Sequence, residues 1–457
     1  NQELREYIIQ STVTVIEVSD PEKALALWAV GHRQRVFKGI MIGLTGSNGK
    51  TSTKELLASG LRHLGSTLAT QGNYNNHLGV PLTLLQLRAE HEYAVIEMGM
   101  NAPGEIAQLT SWVKPDLGLI TTIASAHLAG LGSIEAVAAA KGELITQCGS
   151  APILIPSSIP IALRQVASQE AVSFSLLQGK SQPLIYLLPD MTHHLERLTH
   201  EHEFKPNLEL LNKTFTLDGS QSQLRLNDEL IDFSVKLLGE HQIENARLAL
   251  AAGLIASDQH TQKRLRQYNE KSIKSSVFHA LIKGIGECVP APLRGELLRY
   301  PRPIGSHQEL DIDRHSIDDL QPGTMWADCY NANPQSMLAS VSTFFNAPQE
   351  EISVLVLGMI GELGERSKLM HFELGQALYA MTTVKTYVFT VGDHAQEISR
   401  GLISSGFPKE RSEHFTIDQL SNLNATLAEI NPTSILIKGS RSVKLERLLE
   451  PLQASRS

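Results

Sequence analysis

One stretch, GIMIGLTGSNGKTSTKE at residues 39–55, constrains this chain more than any other. Its apolar run at 40–44 predicts a buried β-strand. The residues after GSNGKT, from Ser52 onwards, predict the start of a helix. Gly46 and Gly49 allow the backbone between them to curl tightly, which larger side chains would prevent. A strand, a glycine loop and a helix in this order form a cradle for phosphate, because backbone N–H groups and the helix N-terminus face the anion.

Lys50 and Thr51 follow the glycine loop directly and complete the phosphate-binding pattern. In such loops the lysine reaches the outer phosphates of a nucleotide and the hydroxyl holds Mg²⁺. The usual spacing places a further glycine where this chain has Leu44, so only the shorter form T-G-x-x-G-K-T is present. The pattern predicts nucleotide binding, and the alternative is a glycine-rich turn followed by a chance Lys-Thr pair.

The composition describes a globular protein and excludes several functional classes. With 457 residues, of which 42% are hydrophobic and 19% charged, the chain is long enough for two or three domains. Its formal net charge of -8 argues against a broad nucleic-acid surface. Three widely separated cysteines fit neither a disulfide framework nor a zinc ribbon, which indicates a reducing cytoplasm. No apolar run approaches the roughly 20 residues of a membrane-spanning helix, so we expect no membrane insertion.

The first half of the chain alternates between strand and helix patterns. Continuous apolar strands separated by helices are typical of a parallel sheet covered on both faces, and ligands of such sheets bind beyond the carboxyl ends of the strands. That rule groups the glycine loop with Glu97 and with the segment after Ile123. The predicted strands are 40–44, 93–99, 117–123 and 151–156, and the predicted helices are 51–64, 104–112 and 133–148.

The second half predicts a less regular region and then another α/β unit. Residues 157–240 contain strand candidates of a more antiparallel extension, at 172–177, 183–188, 213–219 and 230–239. The histidine-rich stretch at 193–204 is more typical of a solvated face than of a metal site. A Lys/Ser-rich stretch at 263–276 and the prolines near residue 290 indicate a boundary near residue 290. We predict a helix at 241–256 and, in the second unit, strands at 324–330, 352–358, 385–392 and 433–440.

The fold class predicted from these patterns is α/β with two main domains. Residues 39–291 are predicted to form a central P-loop ATPase domain with a mainly parallel sheet. Residues 292–457 are predicted to form a C-terminal Rossmann-like α/β domain. Residues 1–38 are too short for a domain of their own and are predicted to be a linker or the remnant of a preceding domain.

Three further side chains are candidates for chemistry, each with an alternative. Glu97 ends an apolar strand and can serve the phosphate loop as a Mg²⁺ ligand, although an ordinary strand-end glutamate is an equal alternative. His127 follows the strand at 117–123, where a lone histidine is more often a packed or capping residue. Lys141 lies on a mostly apolar helix, where it either extends its ammonium to solvent or is kept for chemistry.

Taken together, the motifs resemble those of the ATP-dependent Mur peptide ligases, and within that family those of the MurF branch. This branch adds D-alanyl-D-alanine to UDP-N-acetylmuramoyl-tripeptide in peptidoglycan precursor synthesis. ATP phosphorylates the terminal carboxylate, the incoming amine attacks the acyl phosphate, and an amide, ADP and phosphate result. The matching blocks are GLTGSNGKTSTKE (43–55), TQGNYNNHLGVPLTLL (70–85), EMGMNAPGEI (97–106), AHLAGLGS (126–133), AKGE (140–143), GEHQIENARLAL (239–250), PLRGEL (292–297), DCYNANPQSM (328–337), ELGERSKLMHFELG (362–375) and KGSR (438–441).

The resemblance implies roles for individual residues. Thr51 and Glu97 would hold one Mg²⁺, and His127 would help hold a second, bridged by a carbamate formed from Lys141 and CO₂. A carbamate requires the neutral amine, so burial must lower the pKa of this lysine. The implied catalytic residues are Lys50, Glu97, His127 and Lys141. The implied ATP-binding residues are Thr45, Gly46, Ser47, Asn48, Gly49, Lys50, Thr51, Ser52, Asn245, Arg294 and Asp328. The implied substrate-binding residues are Asn73, Asn76, Tyr330, Asn331, Asn333, Lys438 and Arg441.

The sequence departs from the family pattern at three places. Gln242 stands where the family usually has asparagine, and Met359 stands where it usually has an acidic residue. Only 38 residues precede the phosphate-loop strand, where the MurF branch has a UDP-binding domain, so we expect weak binding of the UDP-linked peptide. The alternatives are a non-catalytic nucleotide-binding relative, or a Mur-type ligase that acts on another carboxylate. The resemblance also implies a cytoplasmic enzyme that acts on small molecules, and we expect a monomer.

Overall fold

The computed structural model describes residues 15–124, 128–156, 185–188, 196–197, 208–216, 219–226, 229–264, 270–303, 320–346 and 352–449. Within these ranges the chain forms two large, mainly parallel sheets and one small antiparallel sheet, with helices around them. The predicted α/β class is therefore confirmed.

The first sheet is formed, within the described ranges, by β1 Ile40–Thr45, β2 Thr67–Ala69, β3 Tyr93–Glu97, β4 Leu117–Ile120, β5 Ile153–Pro156, β6 Ile185–Leu188 and β7 Glu196–Arg197. The strand order is β2-β3-β1-β4-β5-β6-β7, and only β7 runs antiparallel to its neighbour. The phosphate loop follows β1 and Glu97 ends the adjacent β3, so both lie at the same edge of the sheet.

Side chains of β1 alternate between two apolar cores. Ile40, Ile42 and Leu44 belong to one buried cluster, and Met41 belongs to a second cluster. Because successive side chains of a strand point to opposite faces, this sheet is packed on both of them. The unbroken apolar run at 40–44 predicted this arrangement, since a strand with one solvated face would alternate with polar residues.

Helices cover both faces of the first sheet, and one of them begins at the phosphate loop. Lys50 is the first residue of that helix, and Gly49 before it has a left-handed φ of 78°. The most N-terminal described helix begins after Asp20, whose carboxylate accepts a hydrogen bond from the backbone N–H of Lys23. The helices of this unit are α1 Pro21–Val36, α2 Lys50–Arg62, α3 Gly79–Leu84, α4 Glu105–Val113, α5 Leu128–Leu131, α6 Ile134–Gln147, α7 Glu240–Arg264 and α8 Glu270–Glu287.

A small antiparallel sheet, formed by β8 Leu208–Thr216, β9 Gly219–Leu226 and β10 Glu229–Val235, precedes α7. Its antiparallel character and its first and last strands were predicted. Strand β9 was not predicted, because its sequence GSQSQLRL is mostly polar. The strand candidate at 172–177 and most of the histidine-rich stretch at 193–204 lie outside the described residues.

The second sheet is formed, within the described ranges, by β11 Glu296–Pro303, β12 Leu320–Asp328, β13 Ser353–Gly358, β14 Thr386–Val391, β15 Ser412–Phe415 and β16 Ser434–Lys438. Its order is β11-β12-β16-β13-β14-β15, and all neighbours are parallel except β11, which runs antiparallel to β12. Asp328 pairs in register with Lys438, so two charged side chains leave the same edge of the sheet together. The helices of this unit are α9 Pro334–Asn346, α10 Ser367–Tyr379, α11 Gln396–Ser404 and α12 Leu420–Ile430.

The Lys/Ser-rich stretch at 263–276 was one of two signals for a boundary near residue 290. Its second half is part of helix α8, whose residues Phe278, Leu281 and Ile285 are buried in the first core. Their spacing of three and four residues is that of a helix face. The boundary between residues 291 and 292 stays a prediction, and it falls in the connection between α8 and β11.

Helix α8 packs against the phosphate-loop helix α2 through glycines. A Cβ built on Gly284 would lie 2.5 Å from the Ser59 carbonyl oxygen and 2.8 Å from the Gly60 Cα. The Ser59 hydroxyl donates a hydrogen bond of 2.6 Å to the Gly284 carbonyl oxygen. The two helices therefore approach each other more closely than any residue with a side chain at position 284 allows.

We expect Gly284→Ala to lower the free energy of unfolding by about 1–3 kcal/mol, since the added methyl group forces α8 away from α2. Gly31→Ala is the control, because a Cβ there meets only the Arg35 Nη2 atom at 3.7 Å within 4 Å. The control should leave stability unchanged or raise it by about 0.5–1 kcal/mol. Denaturant unfolding of both variants checks this, and equal stability of Gly284→Ala and the parent chain would contradict the close packing.

Candidate active site

A cavity of about 440 Å³ lies between the phosphate loop and the carboxyl edge of the second sheet. Residues from both units line it, which places the two sheets at one site. The lining side chains that the first unit contributes include Ser47, Asn48, Lys50, Thr51, Ser52, Asn73, Asn75, Asn76, Glu97, His241 and Asn245. Those that follow residue 291 include Arg294, Asp328, Tyr330, Asn331 and Lys438.

The phosphate loop has the conformation that its glycines predicted. Gly46 has a φ of 151° and Gly49 has a φ of 78°, both of which side chains disfavour. A Cβ on Gly46 would collide with the Thr121 hydroxyl, and a Cβ on Gly49 would lie 2.5 Å from the Asn245 Oδ1 atom. The loop is therefore held between the segment after β4 and helix α7.

Threonines after β4 fix the loop by hydrogen bonds. The Thr121 hydroxyl donates to the Asn48 carbonyl oxygen at 2.5 Å, and the Asn48 N–H donates to the Thr122 hydroxyl at 2.8 Å. The Ser47 N–H donates to the Thr122 carbonyl oxygen at 2.8 Å. Neither threonine was predicted as a site residue, although a polar pair directly after a buried apolar strand is a signal for one.

Lys50 is half-buried and folds back over the loop. Its Nζ atom donates to the Gly46 carbonyl oxygen at 2.6 Å. Burial lowers the pKa of the Lys50 ammonium; the charge of Arg294 lowers it further, while Glu97 and Glu362 raise it. These charges place Lys50 within electrostatic range of groups from both units.

Glu97 is buried and oriented by neighbours on two elements. Its Oε1 atom accepts a hydrogen bond from the Asn75 amide at 2.8 Å and faces the Thr51 hydroxyl at 3.3 Å. Its Oε2 atom is buried and has no hydrogen-bond partner in the part of the chain that the structure describes. A carboxylate beside a hydroxyl at the end of a phosphate loop is a donor set that suits Mg²⁺.

Lys141 is fully buried, and its Nζ atom has no hydrogen-bond partner among the described residues. Burial lowers the pKa of this amine well below its usual value, and the charge of Lys50 lowers it further. A lowered pKa favours the neutral amine, which is the form that carbamate formation requires. His127, which the resemblance placed beside it, lies outside the described residues.

Charged and aromatic side chains of the second unit form the opposite wall of the cavity. The Lys438 Nζ atom lies 2.8 Å from the Asp328 Oδ2 atom and donates to the Asn331 carbonyl oxygen at 3.2 Å. Two guanidinium groups lie near the Tyr330 ring, with Arg294 4.0 Å and Arg441 5.7 Å from its centroid. Stacking on a tyrosine ring stabilises a guanidinium while it leaves the N–H groups at its edge available.

Two amides join the units directly. The Asn333 Nδ2 atom donates to the Asn48 Oδ1 atom at 2.5 Å, and the Asn48 Nδ2 atom lies 3.4 Å from the Asn333 Oδ1 atom. A backbone hydrogen bond of 2.9 Å from the Ala129 N–H to the Glu362 carbonyl oxygen forms a second link. The phosphate loop itself therefore contacts the YNANP block of the second unit.

Several predicted residues lie near the cavity without lining it. Thr45 and Gly46 are buried behind the loop, and Arg441 forms an ion pair of 3.1 Å with Glu446. Asn76 lines the cavity and also accepts hydrogen bonds from the first turn of α3 through its Oδ1 atom. Asn75, whose amide donates a hydrogen bond to Glu97, was not predicted as a site residue, whereas Asn73 and Asn76 were.

The two departures within the described residues have simple surroundings. The Gln242 Oε1 atom accepts a hydrogen bond of 3.0 Å from the Asn245 amide, so the longer side chain supports a nucleotide-site candidate. Met359 is half-buried, and its N–H donates to the Val391 carbonyl oxygen at 2.9 Å. In the described part of the chain no three His, Cys, Asp or Glu residues cluster as a metal site.

The chain matches known families and proteins over most of its length. The family description "Mur ligase middle domain" matches residues 44–253, and "Mur ligase, glutamate ligase domain" matches residues 316–441. The UDP-N-acetylmuramoyl-tripeptide--D-alanyl-D-alanine ligase of Escherichia coli K12 is 31% identical over 441 residues, which cover 95% of this chain and 81% of the relative. The enzyme of the same name from Bacillus subtilis 168 is 30% identical, with 96% and 81% covered.

Solved structures give the same match. A crystal structure of MurF from Acinetobacter baumannii has 26% sequence identity and a TM-score of 0.72, and the match covers 97% of this chain and 83% of that one. A pseudomurein peptide ligase from Methanothermus fervidus, at 16% identity and a TM-score of 0.60, shares the fold. None of the helices in the described ranges has the length and apolar composition that crossing a bilayer requires.

The amide pair between the units should contribute measurably to stability. We expect Asn48→Ala and Asn333→Ala to be coupled by about 0.5–1.5 kcal/mol in a double-mutant cycle of denaturant unfolding, since each removes the same hydrogen bonds. Asn422→Ala, on the exposed face of α12, replaces Asn333→Ala in the control cycle and should be additive with Asn48→Ala. Additivity in both cycles would show that the amide contact carries no energy.

Proposed function

This chain belongs to the Mur ligase family, and on that basis we propose that it joins the amino group of D-alanyl-D-alanine to the terminal carboxylate of UDP-N-acetylmuramoyl-tripeptide. The relatives carry the names of ligases for these substrates. Their likeness over nearly the whole chain makes it an ATP-dependent ligase of peptidoglycan synthesis. The observation that carries the proposal is the phosphate loop that faces the Asp328–Lys438 pair across one cleft.

The proposed reaction has two steps, which the cleft would keep in one place. A carboxylate oxygen of the tripeptide attacks the γ-phosphorus of ATP, the bond to the β-phosphate oxygen breaks, and ADP leaves. The dipeptide nitrogen then attacks the acyl carbon, the bond to the phosphate oxygen breaks, and the nitrogen loses a proton. Both steps require neutralised phosphate charge and in-line positioning more than a protein nucleophile.

We propose that the phosphate loop and Lys50 bind the outer phosphates of ATP. The half-buried Lys50 ammonium and the positively polarised start of α2 support this role, because both point anion-binding groups at the loop. Arg294 adds a second cation whose charge already acts on Lys50. Asn245 and Asp328 line the same cavity and are proposed as further ATP contacts.

The residues of the site fit magnesium, which when bound would neutralise phosphate charge during transfer. Thr51 and Glu97 are proposed as ligands of one ion, since Glu97 keeps one buried oxygen without a hydrogen-bond partner among the described residues. We propose that Lys141 forms a carbamate that, with His127, holds a second ion. The buried and unpartnered Nζ atom of Lys141 supports this, because an amine in that position is costly as an ammonium.

The second wall of the cleft is proposed to bind the incoming dipeptide. Asn331 and Lys438 line the cavity, and two guanidinium groups that suit a carboxylate lie near the Tyr330 ring. Arg441 and Asn333 are proposed to support this wall, while Asn73 and Asn76 are proposed on the side of the nucleotide-linked peptide.

We further propose a monomer that works in the cytoplasm. One chain supplies both walls of the cleft, so the site needs no second copy. Cys148, Cys288 and Cys329 are free thiols, which agrees with a reducing compartment.

Release of ADP and phosphate should depend on both proposed substrates, and Lys50→Ala should reduce that rate about a hundredfold or more. Lys38→Ala is the matched control, because this exposed lysine only donates to the Gln34 carbonyl oxygen. A coupled ADP assay with each substrate omitted in turn makes the measurement. Turnover with a different carboxylate alone would favour another ligase of the family, and ATP binding without turnover would favour a non-catalytic relative.

The carbamate can be observed directly. We expect ¹³C NMR of the protein in labelled bicarbonate to show a carbamate signal that Lys141→Ala loses and Lys114→Ala, which alters an exposed lysine, retains. Acetate should restore part of the activity of Lys141→Ala, since a small carboxylate can occupy the emptied volume. Identical spectra of the two variants would exclude the modification.

A further inference from the structure

Lys54 lies one helical turn after Lys50 in α2, and its side chain is fully buried. The resemblance to the Mur ligases implies no role for this residue. A buried lysine has to be compensated by charge or by hydrogen bonds, so its partners indicate its purpose.

The Lys54 ammonium contacts three separate elements. Its Nζ atom lies 3.6 Å from the Glu97 Oε2 atom at the end of β3, and it donates to the Gly72 carbonyl oxygen at 3.3 Å. It also lies 3.0 Å from the Glu55 Oε1 atom on its own helix. The first two contacts reach the metal-ligand candidate and the asparagine loop, which we define as residues 71–78.

Glu97 depends on this ammonium for compensation of its inner oxygen. The Oε1 atom interacts with Asn75 and Thr51, whereas the buried Oε2 atom has no hydrogen bond in the described part of the chain. Within 4 Å of Oε2, Lys54 is the cation that the structure records. Loss of that charge would leave a buried carboxylate oxygen without compensation, and the carboxylate would turn away from its present direction.

The contacts close into a ring. Lys54 contacts Glu97, Glu97 accepts a hydrogen bond from Asn75, and Asn75 belongs to the same asparagine loop as Gly72, which Lys54 also contacts. Asn73, on the same loop, lines the cavity. A displacement of Lys54 would therefore move the carboxylate and the loop together.

We propose that Lys54 is a positioning residue that holds Glu97 and the asparagine loop in one arrangement. The same ammonium group would then fix the proposed metal ligand and the side of the cleft proposed for the UDP-linked peptide. This inference rests on the proposed function for the identity of the metal and of the UDP-linked peptide. In the described contacts, the Lys54 ammonium reaches neither the backbone of the phosphate loop nor the second unit.

A purely structural role predicts a different result. Lys54 forms the shorter of its two ion pairs with Glu55. If its role is only to neutralise the charge of Glu55, then Glu55→Gln should have the same consequences as loss of the lysine. Glu55 is partly exposed, however, and a partly exposed pair contributes little. Glu55→Gln is therefore the matched control, since it removes a carboxylate partner of Lys54 and leaves Glu97 in place.

The experiment compares Lys54→Met, Lys54→Gln and Glu55→Gln with the parent chain. Electron paramagnetic resonance titration measures Mn²⁺ binding to the enzyme–ADP complex, and calorimetry measures ADP binding without metal. We expect Lys54→Met to weaken Mn²⁺ binding about tenfold or more and to raise the KM for the UDP-linked peptide, because removal of a partner of a metal ligand has effects of this size. Metal-free ADP binding should change less than about twofold, since the phosphate loop is untouched.

Lys54→Gln keeps a donor for the Gly72 carbonyl oxygen and tests the charge if Lys54→Met does not fold. It should weaken Mn²⁺ binding and leave the peptide KM closer to that of the parent. Parent-like Mn²⁺ binding in a folded Lys54 variant, or equal losses in Glu55→Gln, would overturn the proposal. Since Mn²⁺ and ADP binding are measured without the peptide substrates, a parent chain that binds both but forms no product would remove the proposed substrates and leave this comparison intact.

Discussion

Hydrogen bonds between the phosphate loop and the threonines after β4 fix the backbone conformation on which the site depends. The loop has few side chains of its own, so its shape depends on Thr121 and Thr122, which bond the backbone of Asn48 and Ser47. That shape aims the start of α2 at the cavity and directs the Asn48 amide towards the second unit. The glycine conformations permit this geometry, and the threonine hydroxyls select it from the other conformations that glycines allow.

Three buried lysines show that the neighbours of a buried lysine determine which role it can take. Lys438 is compensated by Asp328 at 2.8 Å, and Lys54 is compensated by two glutamates. Lys141 has no hydrogen-bond partner in the described part of the chain, and its pKa is lowered by burial and by the charge of Lys50. The first two arrangements favour a fixed ammonium, whereas the third favours a neutral amine that can react.

Strands and site residues that depend on a local sequence pattern were predicted. Those that depend on contacts between distant parts of the chain were missed. The buried strands β1, β3 and β13 were predicted because both of their faces are apolar. The short or polar strands β2, β9 and β15 were missed because weak patterns acquire their strand conformation from neighbours. Within the site, Lys50 and Glu97 followed from the motif, but Lys54 and Asn75 did not. Their importance comes from distances to Glu97 that no spacing along the chain encodes.

The amide pair between Asn48 and Asn333 has a consequence for how ligands influence one another. Because a side chain of the nucleotide loop is itself part of the contact between units, any ligand that shifts this loop changes the free energy of their association. Thermodynamic linkage makes the effect reciprocal, so a ligand that settles the second unit must alter nucleotide affinity by the same factor. The affinities of two substrates are then coupled through the protein's own hydrogen bonds, even where the substrates do not touch.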